Sequence, residues 1–437
     1  MLRKKGSTIS LLIISLVLLF CAYNIKWGKE RWKSILEYDA FGYYAYLPAI
    51  FIYQDLQYGF IEDIENKYNL KEKSGIHSFK QNQQGTILNK YYLGTAVAQL
   101  PFFYAAHLFS KWFGYDQDGF SKLYLVFINL AAIFYLMVSL IYLRRLLLPL
   151  HLSEWETSLL LFATVFGTNI FYYVINEPGM SHIYSLAFVT MFLFYSRELF
   201  TSPRIETYII LAALLALIVL IRPLNIITVL LLPFAAGSLP KLKSGLISFF
   251  SNKLALTASG ITFLALVSLQ VIIYKLTTGH WLVYSYGEEG FNFLNPHFVD
   301  ILFSYKKGLF LYTPLFFISL IGGYFLWKQN RFQFITLFGF LVFLTYLLSS
   351  WWSWWYGGSF SGRPFLEFTP LFMLLLAFTL NGLQNSFAYR SYSALIIFLI
   401  LVCQFQTYQY RKGYIHWEDM TREKYWEVFL NPRKLLL

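Results

Sequence analysis

Apolar runs of about 17 to 22 residues recur along the chain between short polar stretches, and an α-helix of that length crosses the roughly 30 Å of hydrocarbon in a bilayer. The pattern predicts membrane-spanning helices over 8–25, 121–143, 156–175, 181–198, 205–221, 224–237, 254–275, 309–327, 332–350, 366–383 and 392–408. A further apolar segment, 91–113, either crosses or lies in the interface. If it crossed, every later loop would change sides and Arg144, Arg145, Lys241, Lys243, Lys253, Lys328 and Arg331 would lie outside. The bias that keeps basic loops in the cytoplasm groups them with Arg3, Lys4 and Lys5, so 91–113 is read as interfacial or re-entrant. The expectation is an all-α polytopic membrane protein of about eleven transmembrane helices with a cytoplasmic N-terminus. Residues 1–437 then form one membrane domain, with interfacial helices in a long first outer loop, 26–120, and an outer tail, 409–437.

Composition supports that solvent assignment: 57% of the 437 residues are hydrophobic and 13% charged, about half the charged share of a soluble chain. The net charge of +12 sits in short basic clusters between apolar runs, which cytoplasmic retention explains and which points away from nucleic acid as a partner. Cys21 and Cys403 lie inside apolar runs, where they offer neither loop disulfides nor a cysteine metal site. The basic start followed by Leu11 to Tyr23 has no small-x-small cleavage site and reads as an uncleaved signal anchor. There is no internal repeat, and the charged stretch Glu62 to Lys73 is the nearest thing to a subdomain.

Ionisable residues avoid the span centres, where an ion-coupled transporter binds its coupling ion. Asp39, Lys90, Glu177, His182, Arg222, Glu288, Lys306, Lys307, Arg363 and Glu367 fall instead at or beyond the outer helix ends. Snorkelling explains any one of them, but their grouping predicts a polar cavity at the outer interface. Glu37-Tyr38-Asp39 precedes an aromatic stretch that includes Tyr43, and Asp39 suits both helix capping and proton abstraction from an acceptor hydroxyl. Glu37 and Asp39 could share a divalent ion, although no third ligand adjoins them. Lys90 and Tyr91 open the 91–113 segment, where helix N–H groups favour an anion. Glu177 and His182 flank the tight turn at Pro178-Gly179. Arg222-Pro223 places a guanidinium suited to bidentate phosphate recognition. Glu288 with Glu289, and Lys306 with Lys307, add an acid pair and a basic pair. The stretch Trp351 to Pro364 combines Trp355 and its neighbouring tryptophans with a Gly-rich turn and Arg363, which suits a sugar ring stacked near a phosphate.

A family resemblance rests on several of these stretches. They are Tyr38-Asp39-Ala40-Phe41-Gly42-Tyr43-Tyr44, Asn89-Lys90-Tyr91-Tyr92-Leu93-Gly94, Arg222-Pro223-Leu224-Asn225 and Trp354-Trp355-Tyr356-Gly357-Gly358-Ser359-Phe360-Ser361-Gly362-Arg363. With a first span and a long outer loop opening on an acid, the chain resembles the mannosyltransferase-like group of bacterial GT-C glycosyltransferases. The resemblance implies an enzyme of the bacterial inner membrane whose active site faces the periplasm. Such an enzyme passes a sugar from a polyprenyl-phosphate carrier to an acceptor hydroxyl on a glycan, lipid or protein, with inversion. It also implies Asp39 as the base, and membrane lipid around the site. The mechanism expected from these residues has Arg222, Arg363 and Lys90 or Lys307 stabilising the leaving phosphate. Several relatives carry adjacent acids or Asp-x-Asp where this chain has Glu37-Tyr38-Asp39, which leaves a metal requirement open. A lipid-linked glycan flippase and an O-antigen polymerase or ligase are the alternatives.

Overall fold

The computed structural model describes residues 5–70, 75–83 and 85–431. Arg3, Lys4 and the side chain of Lys5 lie outside them, as do Lys73 and the end of the tail, 432–437. The fold is all-α apart from one hairpin. Seven helices are long and apolar enough to cross a membrane: Gly6–Trp27, Lys122–Leu150, Ser181–Thr201, Lys253–Thr278, Arg331–Ser349, Arg363–Gly382 and Ser386–Arg411. By helix length and hydropathy the chain is a multi-pass membrane protein.

The other four expected spans depart from that regularity for local reasons. Ile205–Ile221 and Pro223–Ala236 are apolar but shorter. The second runs as a 3-10 helix over Pro223–Leu231 before Leu232–Ala236. Pro233 cannot donate a backbone bond and crowds the carbonyl one turn back, so an α-ladder cannot run through it. Instead of one span over 156–175 there are two helices, Glu154–Phe166 and Ile170–Ile175. Between them the Thr168 hydroxyl donates to the Thr164 carbonyl at 2.6 Å and accepts from the Ile170 N–H at 3.2 Å, replacing ladder bonds. The expected span 309–327 is divided into Leu309–Tyr312, Pro314–Ser319 and Gly322–Gln329, with Pro314 restarting the helix.

The helix Thr369–Gly382 lies deepest, every side chain from Thr369 to Leu380 being buried. Lys253–Thr278 is peripheral and turns Leu254, Ile261, Leu264 and Leu276 outward, an apolar surface that hydrocarbon would cover. At one end of the bundle the first helix is fastened where Ser7 donates from its backbone N–H and its hydroxyl to Glu154, both at 2.8 Å. There Ser153 and Glu156 form a capping box that starts the next helix.

The first long connection carries the helices Asp39–Phe51, Ile61–Tyr68 and Gly94–Phe113. It also holds the antiparallel hairpin Lys80–Gln83 with Thr86–Asn89. Asp118 ties this layer together, accepting from Tyr68 at 2.5 Å, Lys67 at 2.7 Å and the N–H groups of Phe120 and Ser121 at 2.9 Å. Gly94–Phe113 is long but not apolar enough to join the seven.

One close approach is testable. A Cβ on Gly322 would stand 1.9 Å from the Leu375 carbonyl oxygen, whereas a Cβ on Gly260 would meet open space. Thermal unfolding in detergent micelles is expected to show Gly322→Ala destabilised by about 1–3 kcal/mol through overpacking. Gly260→Ala is expected to be neutral or stabilised by about 0.5–1 kcal/mol, because a helical glycine gains conformational restriction at no steric cost.

Candidate functional site

At the opposite end of the bundle from Ser7 and Glu154, helix ends and connections line an open cavity of about 430 Å³. Its wall takes Asp39, Tyr43, Lys90, Tyr91, His182, Arg222, Trp355 and Arg363, eight of the residues singled out from the sequence. Tyr92, Leu224, Tyr286, Glu289, Tyr356 and Glu418 also line it.

Asp39 opens the helix Asp39–Phe51, and the residue before it, Tyr38, has φ of +49°, a backbone region that a bulky side chain rarely adopts. That turn aims Asp39 inward. Its carboxylate does not cap the helix. Instead Oδ1 accepts from the Tyr91 hydroxyl at 2.5 Å and Oδ2 accepts from Arg363 Nη2 at 3.0 Å. Partial burial works to raise the carboxyl, but the Arg363 charge, the Tyr91 bond and Lys90 outweigh it and hold Asp39 below the ordinary carboxylate value. Burial and then the Asp39 charge push the Tyr91 phenol up, so it remains a donor. Tyr43, one turn along, lays its ring 4.5 Å from that of Tyr91.

A second charged set lies deeper. Glu367 is 0% exposed and accepts from four donors. Oε1 takes Arg222 Nη1 at 3.0 Å and lies 2.9 Å from His182 Nδ1, while Oε2 takes the Ser185 hydroxyl at 2.8 Å and the Asn225 amide. A buried carboxylate needs this saturation. His182 Nδ1 stands 2.9 Å from both Glu367 and Arg222 Nη1. The proton that suits this crowding is on Nδ1 and donated to the carboxylate, since Arg222 can share the same oxygen. Among the described residues only Nη1 of Arg222 and Nη2 of Arg363 are engaged by hydrogen bonds. The remaining N–H groups of both guanidiniums are free for an anion in the cavity they line.

The segment following Lys253–Thr278 covers the cavity. Glu289 pairs with Lys90 at 3.5 Å and accepts from Trp352 Nε1 at 3.3 Å, and the Ser285 hydroxyl donates to the Lys90 carbonyl at 2.8 Å. The Trp-rich turn closes the other side through left-handed backbone at Tyr356 and Gly357.

Four sequence-selected residues stand elsewhere. Glu37 and Glu288 are exposed and do not line the cavity. Glu177 is half-buried and accepts from the Tyr172 hydroxyl at 2.9 Å. Lys307 is buried, with its ammonium bonded to the Ser359 and Trp417 carbonyls. Those two bonds commit it to fastening backbone, and burial and then the nearby Arg363 charge push its pKa down to about 7. Glu289 and not its neighbour Glu288 faces inward, which an acid pair in a loop does not reveal. Glu418 lay in a tail without any pattern, and Glu367 was legible only as one of the outer-end charges. No group of three or more His, Cys, Asp or Glu able to hold a metal ion occurs among the described residues, so Glu37 and Asp39 gather no third ligand.

No protein-family model matches the chain, and no curated protein sequence matches it.

Removing the Glu367 charge leaves the partly buried Arg222, 19% exposed, without its counter-charge. Glu367→Ala and Glu367→Gln both remove that charge, and both are expected to lose about 3–5 kcal/mol of stability in detergent unfolding, the Gln variant somewhat less because it keeps the shape and one acceptor. A Glu367→Gln protein as stable as the unaltered one would show that the charge is not what matters.

Proposed function

We propose that this cavity transfers a sugar from a polyprenyl-phosphate carrier to an acceptor hydroxyl, with inversion, making the chain a membrane glycosyltransferase. The observation that carries the reading is an ionised carboxylate, Asp39, sharing one cavity with two guanidiniums that have uncommitted donors, at the end of an apolar helical bundle. Arginine donors lining a largely apolar cavity suit a phosphate, and Asp39 suits the proton of an attacking hydroxyl. The resemblance of the four sequence stretches to GT-C enzymes supports the same chemistry.

In this mechanism the acceptor oxygen attacks the anomeric carbon from the face opposite the phosphate while Asp39 takes its proton. The bond from the anomeric carbon to the phosphate oxygen breaks, and the electron pair leaves with the phosphate. Arg222 and Arg363 stabilise the charge that develops there, helped by Lys90. Arg363 would bridge base and phosphate, since one of its nitrogens already holds Asp39. No activated water takes part. Pro223 and Leu224 supply an apolar stretch of cavity wall for the first carrier isoprenes. The proposed setting is the bacterial inner membrane with eleven spans, the two short and two interrupted segments crossing with the seven long helices. The N-terminus is then cytoplasmic and the cavity periplasmic, which the basic loops favour.

Transfer of radiolabelled sugar from a panel of polyprenyl-phosphate sugars, measured in proteoliposomes, tests this. Asp39→Asn is expected to lower the rate by roughly 10²–10⁴, the usual contribution of a general base. Arg222→Gln is expected to lower it by about 10²–10³, and Glu288→Gln, outside the cavity, to leave it unchanged. An Asp39→Asn protein that inserts normally and keeps full transfer would remove Asp39 from the role.

The pH dependence follows from the same geometry. Because Asp39 is held below the ordinary carboxylate value, it stays ionised through neutral and mildly acidic pH, and the rate is lost only as pH falls through that depressed value. Tyr91→Phe removes one stabilising bond to the anion, so the acid limb of kcat/KM is expected to move to higher pH. An unmoved limb would mean that the titrating group is not Asp39.

A further inference from the structure

The wall of the cavity made by the C-terminal tail differs in chemistry from the rest. Glu418 reaches it from a segment far from the other lining residues in sequence, and that segment is firmly fixed. Lys307 bonds the Trp417 carbonyl to the same ammonium that holds the Ser359 carbonyl. The Trp417 ring lies over Gly358 so closely that a Cβ there would stand 2.9 Å from it. His416 Nδ1 accepts from the N–H groups of Glu418 at 3.2 Å and Asp419 at 2.7 Å, setting the turn. Glu418 is thus a positioned side chain.

Its partner is aromatic. Glu418 Oε1 accepts from Trp355 Nε1 at 2.9 Å, and no ion pair forms with Glu418 among the described residues. The nearby Lys306 is directed otherwise, 3.9 Å from Asp419 and 3.8 Å from the Trp355 ring centroid. Lys306 thereby covers one face of the indole, while the ring itself forms cavity wall. Asp39 and Glu289 each have a cation, and Glu418 is the lining carboxylate without one.

We infer that the Trp355 and Glu418 wall is the acceptor subsite and that it takes an uncharged carbohydrate ring, an assignment that rests on the transfer reaction proposed above. A carboxylate held in no direct ion pair keeps lone pairs for neighbouring ring hydroxyls and disfavours a second anion, and the flat indole packs against the C–H face of a pyranose. The phosphate belongs with Arg222 and Arg363, so the cavity is divided between an anionic donor and a neutral acceptor, with Asp39 serving the acceptor hydroxyl. The wall therefore selects against uronic acids and other acidic glycan ends.

The test is ligand-observed saturation-transfer NMR on the full chain in nanodiscs, with methyl pyranosides of glucose, galactose and mannose and with methyl glucuronoside as the anionic probe. At least one neutral glycoside is expected to bind, without competition from inorganic phosphate, and glucuronoside not to bind. Glu418→Gln is expected to weaken the neutral glycoside about tenfold and to admit glucuronoside, and Trp355→Leu to abolish the signal. Equal binding of glucuronoside and neutral glycosides by the unaltered protein, or neutral binding unchanged in both variants, overturns the assignment. The unaltered protein's own selectivity answers the question if either variant misfolds. Phosphorus NMR of polyprenyl phosphate in the same nanodiscs separates the two readings: phosphate bound with no glycoside preference sinks only the subsite. Glycoside bound with no phosphate interaction sinks the donor on which it rests.

Discussion

The contact between Arg363 and Asp39 joins residues 324 apart in sequence, and much of the site's geometry follows from it. In a chain with so few charges, set in an apolar bundle, a half-buried ion is stabilised by an opposite charge beside it. Asp39 with Arg363, Glu367 with Arg222 and Glu289 with Lys90 satisfy that rule three times at one end of the fold. The first two tie the first long connection and the Arg222 turn to the helix Arg363–Gly382, and the third ties the segment after Lys253–Thr278 to that first connection, so electrostatic compensation and cavity construction are one process.

The pairs are unequal, and the inequality separates support from chemistry. Glu367 is fully enclosed and saturated by Arg222, His182, Ser185 and Asn225, leaving it no capacity for a ligand. It holds Arg222 and His182 at the cavity floor. Asp39 keeps 26% side-chain exposure and accepts from one nitrogen and one phenol, so its anion is stabilised while some of its lone pairs remain available. A base that is ionised yet approachable is what proton abstraction needs. Lys307 shows the opposite outcome, a cation absorbed into backbone carbonyls where it holds the tail against the Gly-rich turn.

Apolar periodicity located the seven long helices well because a span's length is dictated by the bilayer alone. It could not see the interruptions at Thr168, Pro233 and Pro314, which depend on single residues competing for the backbone ladder inside equally apolar runs. The hairpin at Lys80–Gln83 and Thr86–Asn89 escaped for a related reason, its first strand being wholly polar. Charges at span ends carried the cavity-lining positions because polar groups there share a depth. Depth does not say which way a loop side chain turns, so Glu288 was preferred to Glu289 and Glu418 went unseen. Tertiary folding of the tail, not any local pattern, brings Glu418 to Trp355.

In the proposed reaction Arg222 and Arg363 receive a lipid-borne phosphate beside Asp39. Cryo-electron microscopy of the full chain in nanodiscs loaded with polyprenyl phosphate observes that binding directly. Phosphate density is expected inside the cavity at about 3 Å from both guanidiniums, with the carrier chain leaving past Pro223 and Leu224. Phosphate density at any other place on the protein, with the cavity empty of it, would rule out this role for the two arginines.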